Sequence, residues 1–169
     1  NLKWMIDPDD KLKTLPNLID DFCSPISSNN VLRLDLSEVP FEANSREILV
    51  NAIGRKLLSV ARQGAINHGA PLLVFIDEAH QFLNKRIGEE TNRFELDAFG
   101  NIAKEGRKYG LNTIIATQRP RDIPEDVLSQ IGTLIVHRLT NQLDQEIVKK
   151  AVGAIDQRSA SFLPVLGQG

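Results

Sequence analysis

The sequence has a single cysteine, no long apolar run and no excess of basic residues. Cys23 alone cannot form an internal disulfide or a zinc site, so neither kind of cross-link supports the fold. No stretch approaches the roughly 18 uninterrupted apolar residues of a membrane span, and residues 1–5 lack the apolar core of a signal peptide. We therefore expect a cytoplasmic protein without a membrane partner, stabilised by apolar burial.

The charges of the chain nearly cancel. Its 169 residues include 20 Lys+Arg and 22 Asp+Glu, which gives a formal net charge of -2. A self-sufficient nucleic-acid binder normally carries a basic excess, so any nucleic acid has to be held by a few focused charges. The length and the hydrophobic content of 41% are typical of one soluble globular domain.

Apolar and β-branched residues cluster in four short runs, mostly separated by stretches with helical spacing. The runs are residues 31–36, 72–77, 113–118 and 133–139. This alternation predicts an α/β fold with a mainly parallel sheet. Residues 72–76 are apolar at every position, which predicts a central strand covered by helices on both faces.

Helical spacing of apolar residues predicts five helices. They are one that Pro16 either interrupts or begins, one from a capping box at Asn44 and Glu47 to Ala61, one over about residues 93–109, one opened by Pro124 and one capped by Asn141. Residues 84–92, with four charged side chains and Gly88, are the best candidate for a mobile loop.

Two adjacent carboxylates, Asp77 and Glu78, follow the most apolar strand. A pair at this position is held at the carboxyl edge of a parallel sheet, where α/β proteins bind ligands. In a nucleotide-hydrolysing site of this geometry, the first carboxylate supports Mg²⁺ and the second orients the attacking water. The alternative is structural: Asp77 caps a helix and Glu78 is a first-turn acid favoured by the helix dipole.

The next parallel strand ends in Gln118, one helix later. An amide at the same sheet edge can contact a γ-phosphate or its attacking water, although a polar strand end entering a turn at Pro120 is the alternative. Because both strands end at the same edge, we predict that Asp77, Glu78 and Gln118 converge on one cleft.

Together with these residues, four segments resemble the HerA branch of the HerA/FtsK hexameric ATPases. They are LLVFIDEAHQFL (72–83), EGRKYG (105–110), TIIATQRP (113–120) and HRLTNQLDQ (137–145). The resemblance covers residues 31–169. It implies a RecA-like P-loop NTPase with a three-layer sandwich, which works as a homo-hexameric translocase on double-stranded DNA. It also implies ATP and Mg²⁺ as cofactors, and a nuclease or another effector protein as partner.

The resemblance also implies roles for individual residues. Asp77 would support Mg²⁺, Glu78 would be the catalytic base and Gln118 the γ-phosphate sensor. Arg107 would act on the nucleotide of a neighbouring subunit, although a cation near a helix C-terminus also has a purely structural explanation.

Three further cations are weaker candidates. Arg138, at the end of the fourth strand, is expected to face the nucleotide, and a solvated strand end is the alternative. Lys85 and Arg86 follow the carboxylates and would line the central DNA channel of a ring, where six copies focus a positive potential. An ordinary solvated loop explains the same two residues equally well.

One motif of the family is missing, since no G-x-x-x-x-G-K-[ST] occurs in the chain. Without it the phosphates lack an amide cradle, a lysine and a hydroxyl ligand for Mg²⁺, so this chain alone should not hydrolyse ATP. The economical explanation is a P-loop upstream in the parent protein, which makes residues 1–169 a partial RecA-like domain with a helical lead-in at 1–30.

That explanation has a structural consequence. In this class of motor the P-loop strand lies between the strands at 113–118 and 133–139. We therefore expect those two strands to leave a gap of about 10 Å, filled by another segment, instead of pairing directly.

Other functions fit parts of the pattern. His80 completes a D-E-A-H string, but the arginine-rich Q-x-x-G-R-x-G-R motif of DEAH-box helicases is absent. A non-catalytic assembly module of the same fold and an ATPase of conjugation or secretion machinery remain the alternatives to a HerA-like translocase.

Overall fold

A computed structural model describes residues 14–40, 42–66, 71–83, 86–87, 94–153 and 157–167. Within these ranges the helices are α1 (Leu15–Cys23), α2 (Ser45–Arg62), α3 (Ala98–Glu105), α4 (Glu125–Leu128), α5 (Gln142–Val152) and α6 (Gln157–Phe162). The strands are β1 (Leu72–Ile76), β2 (Arg86–Ile87), β3 (Phe94–Glu95) and β4 (Leu111–Ile115). No helix in the described ranges combines the length and the apolar character needed to cross a membrane.

The sheet that organises the chain is a parallel pair. β1 and β4 run in register from Leu72 opposite Leu111 to Ile76 opposite Ile115. α3 lies between them in the sequence and supplies the crossover that a parallel pair needs. The prediction of an α/β fold with parallel strands is confirmed at this level.

A small hairpin precedes α3. β2 and β3 pair antiparallel, with Arg86 opposite Glu95 and Ile87 opposite Phe94. The predicted helix over 93–109 is therefore too long at its start: it begins at Ala98, because residues 94–95 are engaged in the hairpin. Its last turn, Gly106–Tyr109, tightens to a 3₁₀ helix and ends at Gly110 in the left-handed conformation, as the C-terminal stop predicted.

Two of the four predicted strands are wrong. Residues 31–36 and 133–139 are irregular, with Val31 and Ile135 exposed by 83% and 86%. A strand persists where a neighbour satisfies its backbone groups, and within the described ranges no ladder reaches either segment. No backbone hydrogen bond joins 113–117 to 133–137, so the direct pairing that we disfavoured is not observed. The width of the gap stays a prediction.

The predicted starts at Pro124 and Asn141 are confirmed, and Pro16 begins its helix instead of interrupting it. Thr14 Oγ1 accepts a hydrogen bond from Asn17 N at the start of α1, and Pro16 lies in its first turn. Asn141 Oδ1 accepts hydrogen bonds from Leu143 N and Asp144 N at the start of α5. Each side chain satisfies backbone donors that the helix leaves unpaired.

The predicted capping box of α2 is wrong. Asn44 adopts a left-handed backbone with φ 54° and makes no side-chain cap. Ser45 instead donates its hydroxyl to Glu42 O, which fixes the preceding turn. α2 itself spans the predicted residues.

One face of the parallel pair carries the core. Ile76 and Leu111 are buried, and Leu72, Val74 and Ile115 pack partly buried beside them against α2 and α3. The two helices approach closely at Gly54, where an added Cβ would lie 2.9 Å from the Cβ of Ala98. Gly106 allows a second close approach, since a Cβ there would lie 2.5 Å from Leu111 O. These contacts fix α3 beneath β4.

The opposite face of the same pair is open to solvent. Leu73, Phe75 and Ile114 are exposed by 50%, 73% and 42%. The prediction that helices cover residues 72–76 on both faces is therefore wrong for this chain, and the third layer of a sandwich is not seen among the described residues. The uniformly apolar strand has one buried side and one bare side.

Because one face is packed and the other is exposed, truncating adjacent side chains should change the free energy of unfolding by very different amounts. In this chain Ile76→Ala should lower the free energy of unfolding by about 2 to 5 kcal/mol, because it removes buried apolar volume. Phe75→Ala should change it by less than about 0.5 kcal/mol, because the ring is largely exposed. Chemical denaturation of both variants measures the difference. Equal losses would contradict the exposed face.

Candidate functional site

Backbone pairing continues beyond the ends of β1 and β4. Ala116 N donates to Ile76 O at 2.9 Å, and Ala79 N donates to Ala116 O at 3.0 Å. These two bonds align the residues that follow each strand at the carboxyl edge of the sheet. The acidic pair and the Thr117–Gln118 pair are thereby placed side by side.

Glu78 has an unusual backbone. Its φ and ψ are 47° and 44°, in the left-handed region, and it leads into the 3₁₀ turn Ala79–Gln81. Asp77 Oδ1 accepts a hydrogen bond from Glu78 N at 2.9 Å and helps to hold this turn. A left-handed non-glycine residue costs about 1 to 2 kcal/mol, and such residues cluster at functional sites.

The side chains of Glu78 and Gln118 meet across the two strand ends. Gln118 Nε2 donates to Glu78 Oε1 at 3.1 Å. The predicted convergence of these two residues is therefore observed, while their chemical roles stay predictions. Gln118 is exposed and the Glu78 side chain is 35% exposed, so the pair is open to a ligand.

The other oxygen of Glu78 lies against His80. The Oε2 atom is buried and 3.3 Å from His80 Nδ1, but the ring is not aligned for a hydrogen bond to it. The better aligned contact of Nδ1 is Thr117 Oγ1 at 3.1 Å. Sequence reasoning missed both His80 and Thr117, although the D-E-A-H string already places the imidazole two residues after the glutamate.

The loop after Gln118 is anchored on both sides. Thr117 Oγ1 accepts from Arg119 N at 3.0 Å. Asp144, buried near the start of α5, accepts from Arg121 N at 3.3 Å and lies 3.8 Å from the Arg121 guanidinium. The strand end that carries Gln118 is thus fixed to the body of the chain.

Asp77 is exposed at the carboxyl end of β1, and only its Oδ1 is engaged by the backbone. Within the described ranges no group of three or more His, Cys, Asp or Glu side chains is placed to hold a metal ion. One free carboxylate oxygen suits a Mg²⁺ ion that also binds phosphate oxygens and water. The residues present are therefore compatible with the predicted ion.

The remaining predicted site residues lie elsewhere or outside the described ranges. Arg107 precedes β4 and Gln118 follows it, so the two residues lie at opposite edges of the sheet. Arg107 and Arg138 are exposed, and the structure shows no ion pair or hydrogen bond from either to the acidic pair. Lys85 lies outside the described residues, and Arg86 is described only as part of β2.

The strained backbone of Glu78 predicts an inverted order of stability for two substitutions. Glu78→Gly should be about 1 kcal/mol more stable than Glu78→Ala, because both lose the carboxylate and only alanine keeps the left-handed strain. At Asn101, inside α3, alanine should instead be the more stable by about 1 kcal/mol. Unfolding free energies of the four variants test this. The same order at both positions would contradict the left-handed assignment.

Known proteins resemble this chain over a range that includes the acidic pair and Gln118. Residues 67–162 match the family model of the helicase HerA-like C-terminal domain. A DNA double-strand break repair helicase HerA from Pyrococcus furiosus is 38% identical over 99 residues, covering 59% of this chain and 17% of that protein.

Two relatives with the same name extend the coverage. The protein from Sulfurisphaera tokodaii is 28% identical over 153 residues, covering 88% of this chain and 30% of its own length. The protein from Sulfolobus acidocaldarius is 30% identical over 119 residues, covering 68% and 23%. The chain spans less than a third of the length of these relatives, and it belongs to the HerA-like helicase C-terminal family.

Proposed function

We propose that the full-length protein containing this chain is an ATP-driven translocase or helicase acting on double-stranded DNA, and that this chain supplies its hydrolytic carboxylates. The observation that carries the proposal is the hydrogen bond between Gln118 Nε2 and Glu78 Oε1 at the carboxyl edge of a parallel pair. Membership in the HerA-like helicase family supports the same function.

Glu78 is the proposed general base. Its side chain is 35% exposed, and its Oε1 accepts a hydrogen bond from Gln118 Nε2 while Oε2 is buried beside His80. The accessible part of the carboxylate suits a group that accepts a proton from an attacking water. Gln118 contacts that carboxylate directly, so a change at the γ-phosphate sensed by the amide would reach the base without an intermediary. Positioning of this kind is the main contribution of a protein to phosphoryl transfer.

Asp77 is the proposed protein ligand of Mg²⁺. Its exposed carboxylate lies next to the base and keeps an oxygen free of the hydrogen bond to Glu78 N. Bound Mg²⁺ would neutralise the charge of the nucleotide phosphates. The phosphate-binding loop itself would come from a part of the protein outside this chain.

The bare face of the sheet supports a further covering layer in the full-length protein. Leu73, Phe75 and Ile114 expose apolar surface that a soluble domain normally buries. A P-loop strand beside β4 and a helical layer over this face would cover it and complete a RecA-like sandwich. Arg138 would then close the nucleotide pocket from the irregular segment 133–139.

Arg107 is proposed to act in a neighbouring subunit. It is exposed at the sheet edge opposite Glu78, so within one chain it lies away from the base. In a homo-hexamer an arginine on this surface can face the nucleotide held by the next copy, where it would stabilise charge that develops in the transition state.

DNA and effector contacts complete the proposal. Lys85 and Arg86 follow the acidic segment and would line the channel of a ring, where six copies add their charge. A nuclease or another effector is the proposed protein partner, and the cytoplasm the proposed location.

If Glu78 is the general base, its substitution should abolish ATP hydrolysis and leave ATP binding nearly intact. In the full-length protein Glu78→Gln should lower kcat for ATP by at least about a hundredfold and leave the ATP dissociation constant nearly unchanged, because the carboxylate acts on water and adds little phosphate affinity. Glu146→Gln, an exposed position on α5, is the matched control. A non-catalytic assembly module would show no hydrolysis in the wild type, and full activity of Glu78→Gln would exclude the assigned base.

If Arg107 acts on the nucleotide of a neighbouring subunit, two variants that are inactive alone should complement each other when mixed. Arg107→Ala and Glu78→Gln subunits should each lack activity, and mixing them should restore part of it, because some interfaces then pair an intact base with an intact arginine. Lys108→Ala, the adjacent exposed cation, is the control and should stay active. If mixed rings hydrolyse no more ATP than the separate variants, then Arg107 does not act across the interface.

A further inference from the structure

Two side chains lie against the Glu78 carboxylate, and one of them is not among the predicted site residues. Gln118 binds Oε1 at 3.1 Å. The second neighbour is the imidazole of His80, whose Nδ1 lies 3.3 Å from the buried Oε2. We propose that His80 is a positioning residue for Glu78, and that Thr117 in turn fixes His80. This inference rests on the proposed function of Glu78 as the base.

The imidazole is placed to do this because it is confined. Its side chain is only 16% exposed, and it belongs to the 3₁₀ turn Ala79–Gln81 that follows the left-handed Glu78. Thr117 Oγ1 lies 3.1 Å from Nδ1 and is itself fixed by Arg119 N at 3.0 Å. The hydroxyl therefore comes from the anchored segment that follows β4, and the ring has little freedom to turn away from the glutamate.

The chemistry of the three groups selects one tautomer of His80. With the proton on Nδ1, the ring donates to Thr117 Oγ1 and presents a positive N–H edge to Glu78 Oε2. With the proton on Nε2, Nδ1 would carry a lone pair 3.3 Å from the carboxylate oxygen, and this proximity is repulsive. The Nδ1–H tautomer is thus the form that fits both neighbours.

The arrangement connects the two strand ends twice. Gln118 reaches Glu78 directly, and Thr117 reaches it through His80. Oε1 accepts a hydrogen bond from Gln118, and Oε2 lies against the imidazole that contacts Thr117. Two consecutive residues just beyond β4 therefore limit how the carboxylate can turn. A base whose orientation is fixed before the water arrives loses less rate to misplacement.

Substitutions at His80 test the proposal in the full-length protein. His80→Ala should lower kcat for ATP by on the order of tenfold to a hundredfold with little change in KM, because orientation of the base is lost and phosphate binding is kept. His80→Asn should recover most of kcat, since its side-chain amide reaches the position of Nδ1. His80→Gln should not, since its amide reaches the position of Nε2. Unfolding midpoints of the three variants separate this effect from loss of fold.

Thr117 supplies the second arm of the test. Thr117→Val removes the hydroxyl with little change of shape, and Thr117→Ser keeps it, so only the valine variant should lose rate. The double variant His80→Ala/Thr117→Val should be no slower than His80→Ala, because both act on one contact.

The outcomes separate failure of the proposed ATPase function from failure of the positioning role of His80. Absence of ATP hydrolysis in the wild type would overturn the proposed function and this inference with it. An active wild type matched by His80→Ala would overturn the inference alone, as would equal rates for His80→Asn and His80→Gln. A kcat pattern of wild type and Asn above Gln and Ala, at constant KM, supports it.

Discussion

The parallel register of β1 and β4 is the constraint on which the candidate site depends. Five residue pairs fix the two strands, and backbone bonds from Ala116 N to Ile76 O and from Ala79 N to Ala116 O extend the pairing beyond them. A slip of one residue would turn Glu78 or Gln118 to the other face of the sheet. The 3.1 Å contact between these two side chains therefore follows from a ladder built by apolar residues that take no part in the chemistry.

The same pair of strands is covered unevenly, and this asymmetry shapes the rest of the chain. α2 and α3 pack on one face through the close approaches at Gly54 and Gly106, while Phe75 on the other face is 73% exposed. The packed face supports the two strands whose ends carry the site. The chain covers only 17% to 30% of the length of these relatives. The open face is the surface on which the proposed full-length protein would add a further layer.

The sequence predicted correctly those helix ends that depend on one residue and its immediate neighbours. Asn141 caps α5, and Gly110 ends the helical segment before β4, because each needs only its own side chain or its own lack of one. The residues 31–36 and 133–139 have strand-like composition and form no strand, because strand formation depends on a partner in the right place.

Some residues of the candidate site could likewise be predicted from the sequence, and others could not. Asp77, Glu78 and Gln118 were identified from their positions at strand ends, which a parallel topology brings together. His80 and Thr117 were not, because their contact with each other and with Glu78 depends on a 3₁₀ turn and a left-handed Glu78 that no sequence pattern indicates. The neighbours of the exposed Arg107 within this chain do not indicate a function for it, since its proposed target lies in another subunit.

The most direct measurement is a structure of the full-length protein with Mg²⁺, ADP and a planar mimic of the transferred phosphoryl group. The account predicts the Glu78 carboxylate within about 3 Å of the water in line with the mimic, with His80 and Gln118 still at its two oxygens. Asp77 should lie on the metal side of the nucleotide. A Glu78 side chain turned away from that water, or a nucleotide bound at the opposite edge of the sheet, would contradict the assignment of this site as the hydrolytic centre.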